Sequence, residues 1–192
     1  MRPVHPSQTS SDTSVKTDPR FRIQPLTNIG EAISKPPPDR TSFGSGAYFV
    51  TAGAAGRRSV FQTEKMARLF IDTIYLYRRE HKFLIHRFVV MRDHVHLLVS
   101  PLEADLPRSL QLIKGGFSYR AKKELGVSFE IWERGYVDHR IRDANDYRRH
   151  IEYIDQNPVR AGFVIETDKY PYSSAHPGFE LDACPQGLKP RE

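Results

Sequence analysis

Apolar residues recur in two rhythms between positions 46 and 160, and those rhythms divide this stretch into elements. In GAYFVTAG, Tyr48 and Val50 alternate with Ala47, Phe49 and Thr51, the period-two pattern of a strand, and Gly53 closes it. TEKMARLFIDTIYLYRREHK follows, where Met66, Leu69, Phe70, Thr73, Ile74 and Tyr77 fall three and four apart. That spacing makes one apolar stripe on a helix, with Thr63 placed to cap its start. LIHRFVVM (84–91) and HVHLLVS are apolar runs separated only by Arg92 and Asp93, a link short enough to predict a hairpin. Residues 106–126 return to helical spacing through Leu106, Leu110, Ile113 and Phe117, with Gly126 as the stop. Gly115 and Gly116 oppose that helix by about 1 kcal/mol each if its interior is exposed. FEIWERGYVDHRI (129–141) predicts a last strand, and DANDYRRHIEYIDQN a helix opened by Asp143 and closed before Pro158. The order strand, helix, strand, strand, helix, strand, helix predicts an α+β fold: a ferredoxin-like antiparallel sheet with helices packed on one face.

The pattern is missing from residues 1–43, which hold seven of the fourteen prolines, including Pro36-Pro37-Pro38, among many Ser, Thr and Asp. This reads as a flexible leader, followed by one folded domain at 44–180 and a C-terminal tail at 181–192. A length of 192 residues suffices for one domain with its own core. The net charge of +6 and the pI near 9.5 favour a polyanionic partner, nucleic acid first. Cys184 is the single cysteine, which excludes an internal disulfide framework and a cysteine zinc cluster. It fits a reducing compartment, so a cytoplasmic location is expected. No stretch approaches the ~18 apolar residues of a membrane span, and no apolar segment follows Arg2, so neither membrane insertion nor export is expected.

His94 and His96 then stand out, because alternation on a strand points both to one face while Val95 and Leu97 point to the other. Two imidazoles about 7 Å apart along a strand can converge on one metal ion. A lone His-x-His is more often a pair of polar residues on the wet face of a sheet. On the last helix, Tyr153 and Asn157 are four residues apart and share a face. A core tyrosine followed by a capping Asn-Pro would account for them equally well. Taken as a set, two neutral nitrogens and an amide oxygen can hold a divalent cation, a phenol can act as nucleophile, and arginines can hold phosphates. Attack by the phenol on a phosphodiester would give a phosphotyrosine link that keeps the bond energy for a later joining step.

Four stretches carry a family resemblance: VVMRDHVHLLVSP, LIKGGFSYR, IWERGYVDHRIRD and above all YRRHIEYIDQNPVRAGFV, trailed by YPYSSA. Their order and spacing over about residues 46–176 resemble the REP-associated tyrosine transposases, relatives of the smallest insertion-sequence transposases within the HUH endonuclease superfamily. The resemblance implies a ferredoxin-like fold of the HUH endonuclease type, His94 and His96 as metal ligands, Tyr153 as nucleophile, and Asn157 as a third metal-contacting residue. It also implies Mg2+ or Mn2+ as cofactor, and single-stranded or hairpin DNA as substrate, cut beside short REP-like palindromes through a 5′-phosphotyrosine intermediate. Use at the bacterial nucleoid and action as a monomer are the accompanying expectations. Relatives commonly carry Pro-Asn or Pro-Asp before the histidine pair, where this chain has Arg92-Asp93.

Rival residues exist. Tyr119, Tyr136 and Tyr147 are other phenols, though Tyr147 stands six residues before Tyr153, about 600° of helix rotation, and so on another face. His139 and His150 read as surface or helix-flank groups, with phosphate contact as the alternative. Lys114, Arg120 and Lys122, along with Arg148, Arg149 and Arg160, are candidates to line a DNA groove; Lys123, Arg140 and Arg142 extend the basic set. Two other readings suit the same residues: a non-catalytic nucleic-acid-binding domain, and a metal-dependent phosphodiesterase that uses water and keeps Tyr153 for structure.

Overall fold

The computed structural model describes residues 46–185 and 188. The expected leader at 1–43 lies outside the described residues, as does the expected tail beyond 185 apart from Leu188. The alternating stretch forms β1 (Tyr48–Gly53), and the striped segment forms α1 (Glu64–Arg79), capped by Thr63, whose side chain accepts from the Met66 N–H. The hairpin is β2 (Phe83–Val90) and β3 (His94–Pro101). Next comes α2 (Leu106–Leu125), which starts at Asp105, whose carboxylate accepts from Arg108 N–H, and stops at Gly126 in the left-handed conformation. Then follow β4 (Val137–Arg140) and α3 (Ala144–Arg160). The sheet order is β2-β3-β1-β4, with every neighbouring pair antiparallel.

The antiparallel sheet of the expected fold class is present, and its helices divide between two faces rather than sharing one. Val50, Ala52, Phe88, Val90, Val95, Leu97 and Val99 pack against α1 and α2. Ala47, Val89, Met91 and Leu98 pack against Tyr147 and Ile154 of α3. Because the inner strands carry apolar side chains on both faces, both must be covered to bury them.

A bulge between Ile85 and Arg87 shifts the register of β2 against β3. One added residue reverses which side chains face each layer, so Ile85 and Phe88 lie in the same core despite odd spacing. Arg87 is thereby turned to α3, where its guanidinium grips Asp155 at 2.9 and 2.7 Å. This pair ties the helix to the sheet. The outer edge of β2 is covered by the chain's return: Val90 N–H donates to Tyr172 O, and Phe88 N–H to Ser174 Oγ, both at 2.9 Å. Further on, Asp182 accepts from Arg78 and from Ile85 N–H.

Two elements differ from expectation. The strand expected over 129–141 is limited to Val137–Arg140, with Trp132 touching the sheet through a single bridge to Ala54. A turn at Gly135, with φ of 75°, interrupts it, while Ile131 and Trp132 are drawn into the core under α1 and α2. The last helix runs through Pro158 to Arg160. Proline's fixed φ suits a helix, and so near its end only one backbone bond is lost. Among the described residues, no helix is long and apolar enough to cross a membrane.

Candidate active site

β3 lies between β2 and β1, so His94 and His96 are held on an inner strand and project to the face covered by α3. Val95 and Leu97 enter the opposite core, as alternation requires. His96 is 4% exposed. Its Nδ1 pairs with Thr51 Oγ1 at 2.8 Å, and its ring stacks on Phe49 at 5.3 Å. His94 Nδ1 donates to Asp93 Oδ1 at 2.6 Å. In the tautomer where both Nδ1 atoms carry the proton, each ring offers an Nε2 lone pair, which is the arrangement that orients histidine as a metal ligand. The ring centroids are 4.7 Å apart. Burial, reinforced by the neighbouring His94, holds the His96 pKa well below its ordinary value, so this imidazole is neutral and free to ligate. The donor set therefore fits a divalent cation.

α3 brings Tyr153 to this pair. Its ring meets His96 at 5.2 Å and Phe49 at 5.6 Å, both edge-on, and the Arg160 guanidinium stands 5.6 Å from its centroid. At 40% exposure the phenol is open to a large substrate. A cavity of about 300 Å3 adjoins it, lined by Phe49, Arg149, His150 and Tyr153. Asn157 lies one turn further along α3, half-buried, with its main-chain oxygen accepting from Ala161 N–H.

The rival phenols sit elsewhere. Tyr147 is buried in the core beneath α3, and burial pushes its hydroxyl pKa far up. Tyr119 is exposed on α2, on the opposite side of the sheet, and Tyr136 packs against the α1–α2 core. The six basic candidates do not form one groove, because α2 and α3 cover different faces. Lys114 is bound to the 133–135 loop through Glu133 O and Gly135 O, and burial lowers its pKa. Arg120 bonds Glu124 and Thr73, and Lys122 is exposed on the same helix. Arg149 and Arg160 stand beside Tyr153 on α3, while Arg148 is turned to Ala144 O and Asn145 on another face of that helix. His139 and His150 are partly exposed and not isolated: both meet Asp146.

Phe49 and Thr51 escape sequence reasoning as site residues. Their parity on β1 places them on the same face, but only the pairing of Thr51 with His96 shows what they touch.

The fold, an antiparallel sheet with three helices, is of the HUH endonuclease type. The sequence model of the family described as "Transposase IS200 like" matches residues 46–157. The chain belongs to that family and is an enzyme of the transposase class. It is 31% identical to a REP-associated tyrosine transposase of Escherichia coli K12 over 133 residues, covering 68% of this chain and 77% of the relative. A Haemophilus influenzae protein described as "Putative REP-associated tyrosine transposase" is 28% identical over 153 residues, covering 73% of this chain and 86% of the relative. Among solved structures, a REP-associated tyrosine transposase bound to a REP hairpin superposes with a TM-score of 0.61 at 25% identity, covering 82% of this chain and 99% of that one.

Proposed function

We propose that this chain nicks and rejoins single-stranded DNA beside short hairpins through a 5′-phosphotyrosine intermediate on Tyr153. The observation that carries this reading is the meeting of Tyr153 with His96 at 5.2 Å and of His96 with His94 at 4.7 Å, across two separate elements. The hairpin substrate is supported by the relative whose structure contains a REP hairpin. Activity is assigned to residues 44–180.

In this reading His94, His96 and Asn157 would hold Mg2+ or Mn2+. When bound, the cation supplies charge withdrawal at a non-bridging phosphate oxygen. Tyr153 Oη gives up its proton to solvent as it attacks phosphorus, the 3′-oxygen leaves and takes up a proton, and the 5′-phosphate stays on the tyrosine. The link is reversed when a 3′-hydroxyl displaces the phenol, so strands are exchanged without hydrolysis. Phe49 and His96 hold the phenol's ring edge-on, limiting the directions from which it can attack. Arg149 and Arg160 offset phosphate charge along the Tyr153 face of α3, whereas Arg120 and Lys122 belong to α2 across the sheet.

The test is incubation with end-labelled hairpin DNA and Mn2+, followed by denaturing electrophoresis. Wild type should retain label on protein, and Tyr153→Phe should lose both adduct and cleavage. Cleavage that survives Tyr153→Phe would make the enzyme a water-using phosphodiesterase. Binding with neither cleavage nor adduct would make it a non-catalytic DNA-binding domain.

A further inference from the structure

His139, Asp146 and His150 form a second group of ligating side chains that the chemistry above does not use. β4 supplies His139, while α3 supplies Asp146 and His150, four residues apart on one face. His139 Nε2 stands 2.7 Å from Asp146 Oδ2, and His150 Nδ1 stands 3.4 Å from Asp146 Oδ1. One ligand atom from each residue lies within 4.8 Å of the other two. The two imidazoles stack at 4.9 Å.

We propose that His139, Asp146 and His150 bind a zinc-type divalent ion at a site separate from His94 and His96. Zinc takes imidazole nitrogen and carboxylate oxygen at about 2.0–2.2 Å, which sets neighbouring ligand atoms of a tetrahedron roughly 3.4 Å apart. The 3.4 Å between His150 and Asp146 Oδ1 matches that separation, and the 2.7 Å hydrogen bond between His139 and Asp146 Oδ2 would have to open toward it. Two nitrogens and one oxygen favour zinc over magnesium. The His139 and His150 side chains are 33% and 21% exposed, which leaves an approach and a fourth position for water.

Asp146 is built as an anchor. Its side chain is 6% exposed, and Arg142 N–H donates to Oδ2 at 3.1 Å. Although burial alone would raise its pKa, the bonds from His139 and Arg142 N–H outweigh it and hold the carboxyl at about 2. The group is thus anionic at neutral pH. Without an ion, donors fill the space: His139 Nε2 at Oδ2, Arg149 at 3.4 Å from Oδ1, and His150 Nδ1 at 2.8 Å from the Asp146 main-chain oxygen. Ligation requires in each ring the tautomer whose proton sits on the nitrogen away from the ion, and it turns the His150 nitrogen from the carbonyl to the ion. Arg149, 73% exposed, is free to swing away.

The location gives such an ion a role. It would pin the short edge strand β4 to the helix that carries Tyr153. Phe49 lies against His150 at 4.7 Å on one side and His96 at 5.3 Å on the other, so fixing His150 also fixes a wall of the histidine-pair site.

The test is titration of the chelator-stripped full chain with Co2+, whose tetrahedral complexes absorb in the visible. The His94→Ala/His96→Ala variant should keep one equivalent with a tetrahedral spectrum. Adding His139→Gln, which retains an amide donor toward Asp146 and hence the fold, should weaken that binding at least about hundredfold, since even residues behind a ligand contribute ten- to hundredfold. Adding His150→Ala should do the same. Absence of the tetrahedral band in the His94→Ala/His96→Ala variant, or its survival in both added variants, overturns the site. The result does not depend on DNA cleavage, so failure of the transposase reading would show separately.

Discussion

Thr51 and Asp93 decide which nitrogen each histidine of the pair offers. Both hold an Nδ1, at 2.8 and 2.6 Å respectively. Thr51→Val and Asp93→Ala are therefore expected to weaken Mn2+ binding at the pair by about 10–100-fold, measured calorimetrically in a His139→Gln background, with little change in fold. His96 also makes stability depend on pH. Its folded pKa is depressed by burial and then by His94, so the unfolded chain binds the proton more readily. The stability it contributes is complete above the unfolded pKa of about 6.5 and is lost as pH falls below it. Melting of the metal-free protein should drop between pH 7.5 and 5, and His96→Asn should narrow the difference; His86, also shifted down by burial, keeps part of it. At this scale alternation and helical spacing set the faces of the histidine pair and Tyr153, while the roles expected of them came from the family resemblance. Thr51 and Phe49 were not, since their contacts depend on the pairing of β1 with β3, which no local pattern encodes.

Elements were legible where periodicity and caps agree. Thr63, Gly126 and Asp143 each stand at a helix end for the capping reason that sequence suggests. The Gly115-Gly116 pair shows what sequence could not separate. A methyl group at Gly115 meets nothing within 4 Å, whereas at Gly116 it would collide with the Tyr77 hydroxyl. Gly115→Ala should stabilise by up to about 1 kcal/mol, and Gly116→Ala should forfeit that gain to displacement of the Tyr77 ring, a contrast readable by urea denaturation. The β2 bulge was hidden because it adds one residue without interrupting an apolar run. Its consequence is the Arg87–Asp155 pair, with side chains 25% and 16% exposed. Arg87→Ala should cost about 2–3 kcal/mol, mainly by leaving Asp155 half-buried without its partner, while Arg87→Ala with Asp155→Ala should cost less than the two single changes added together.

For the molecule as a whole, composition pointed to nucleic acid, while the division of charge between faces emerged only from the packing. Length and element order identified the sheet but not its double cover, because the apolar content of inner strands fits burial on one face or two. The α3 side of the sheet carries Tyr153 with Arg149 and Arg160, and the α2 side carries Arg120 and Lys122. In titrations of hairpin DNA against salt, Arg149→Ala should reduce the slope of log affinity by about 1, and Lys122→Ala should leave it unchanged. The central claim, that one helix delivers the nucleophile to a histidine pair on the sheet, is tested most directly by locating the covalent bond. Peptide mass spectrometry of the protein trapped with hairpin DNA and Mn2+, after nuclease trimming, should find the residual nucleotide phosphate on Tyr153 alone. Its attachment to Tyr119, Tyr136 or Tyr147, or cleaved DNA with no modified tyrosine, would contradict the account.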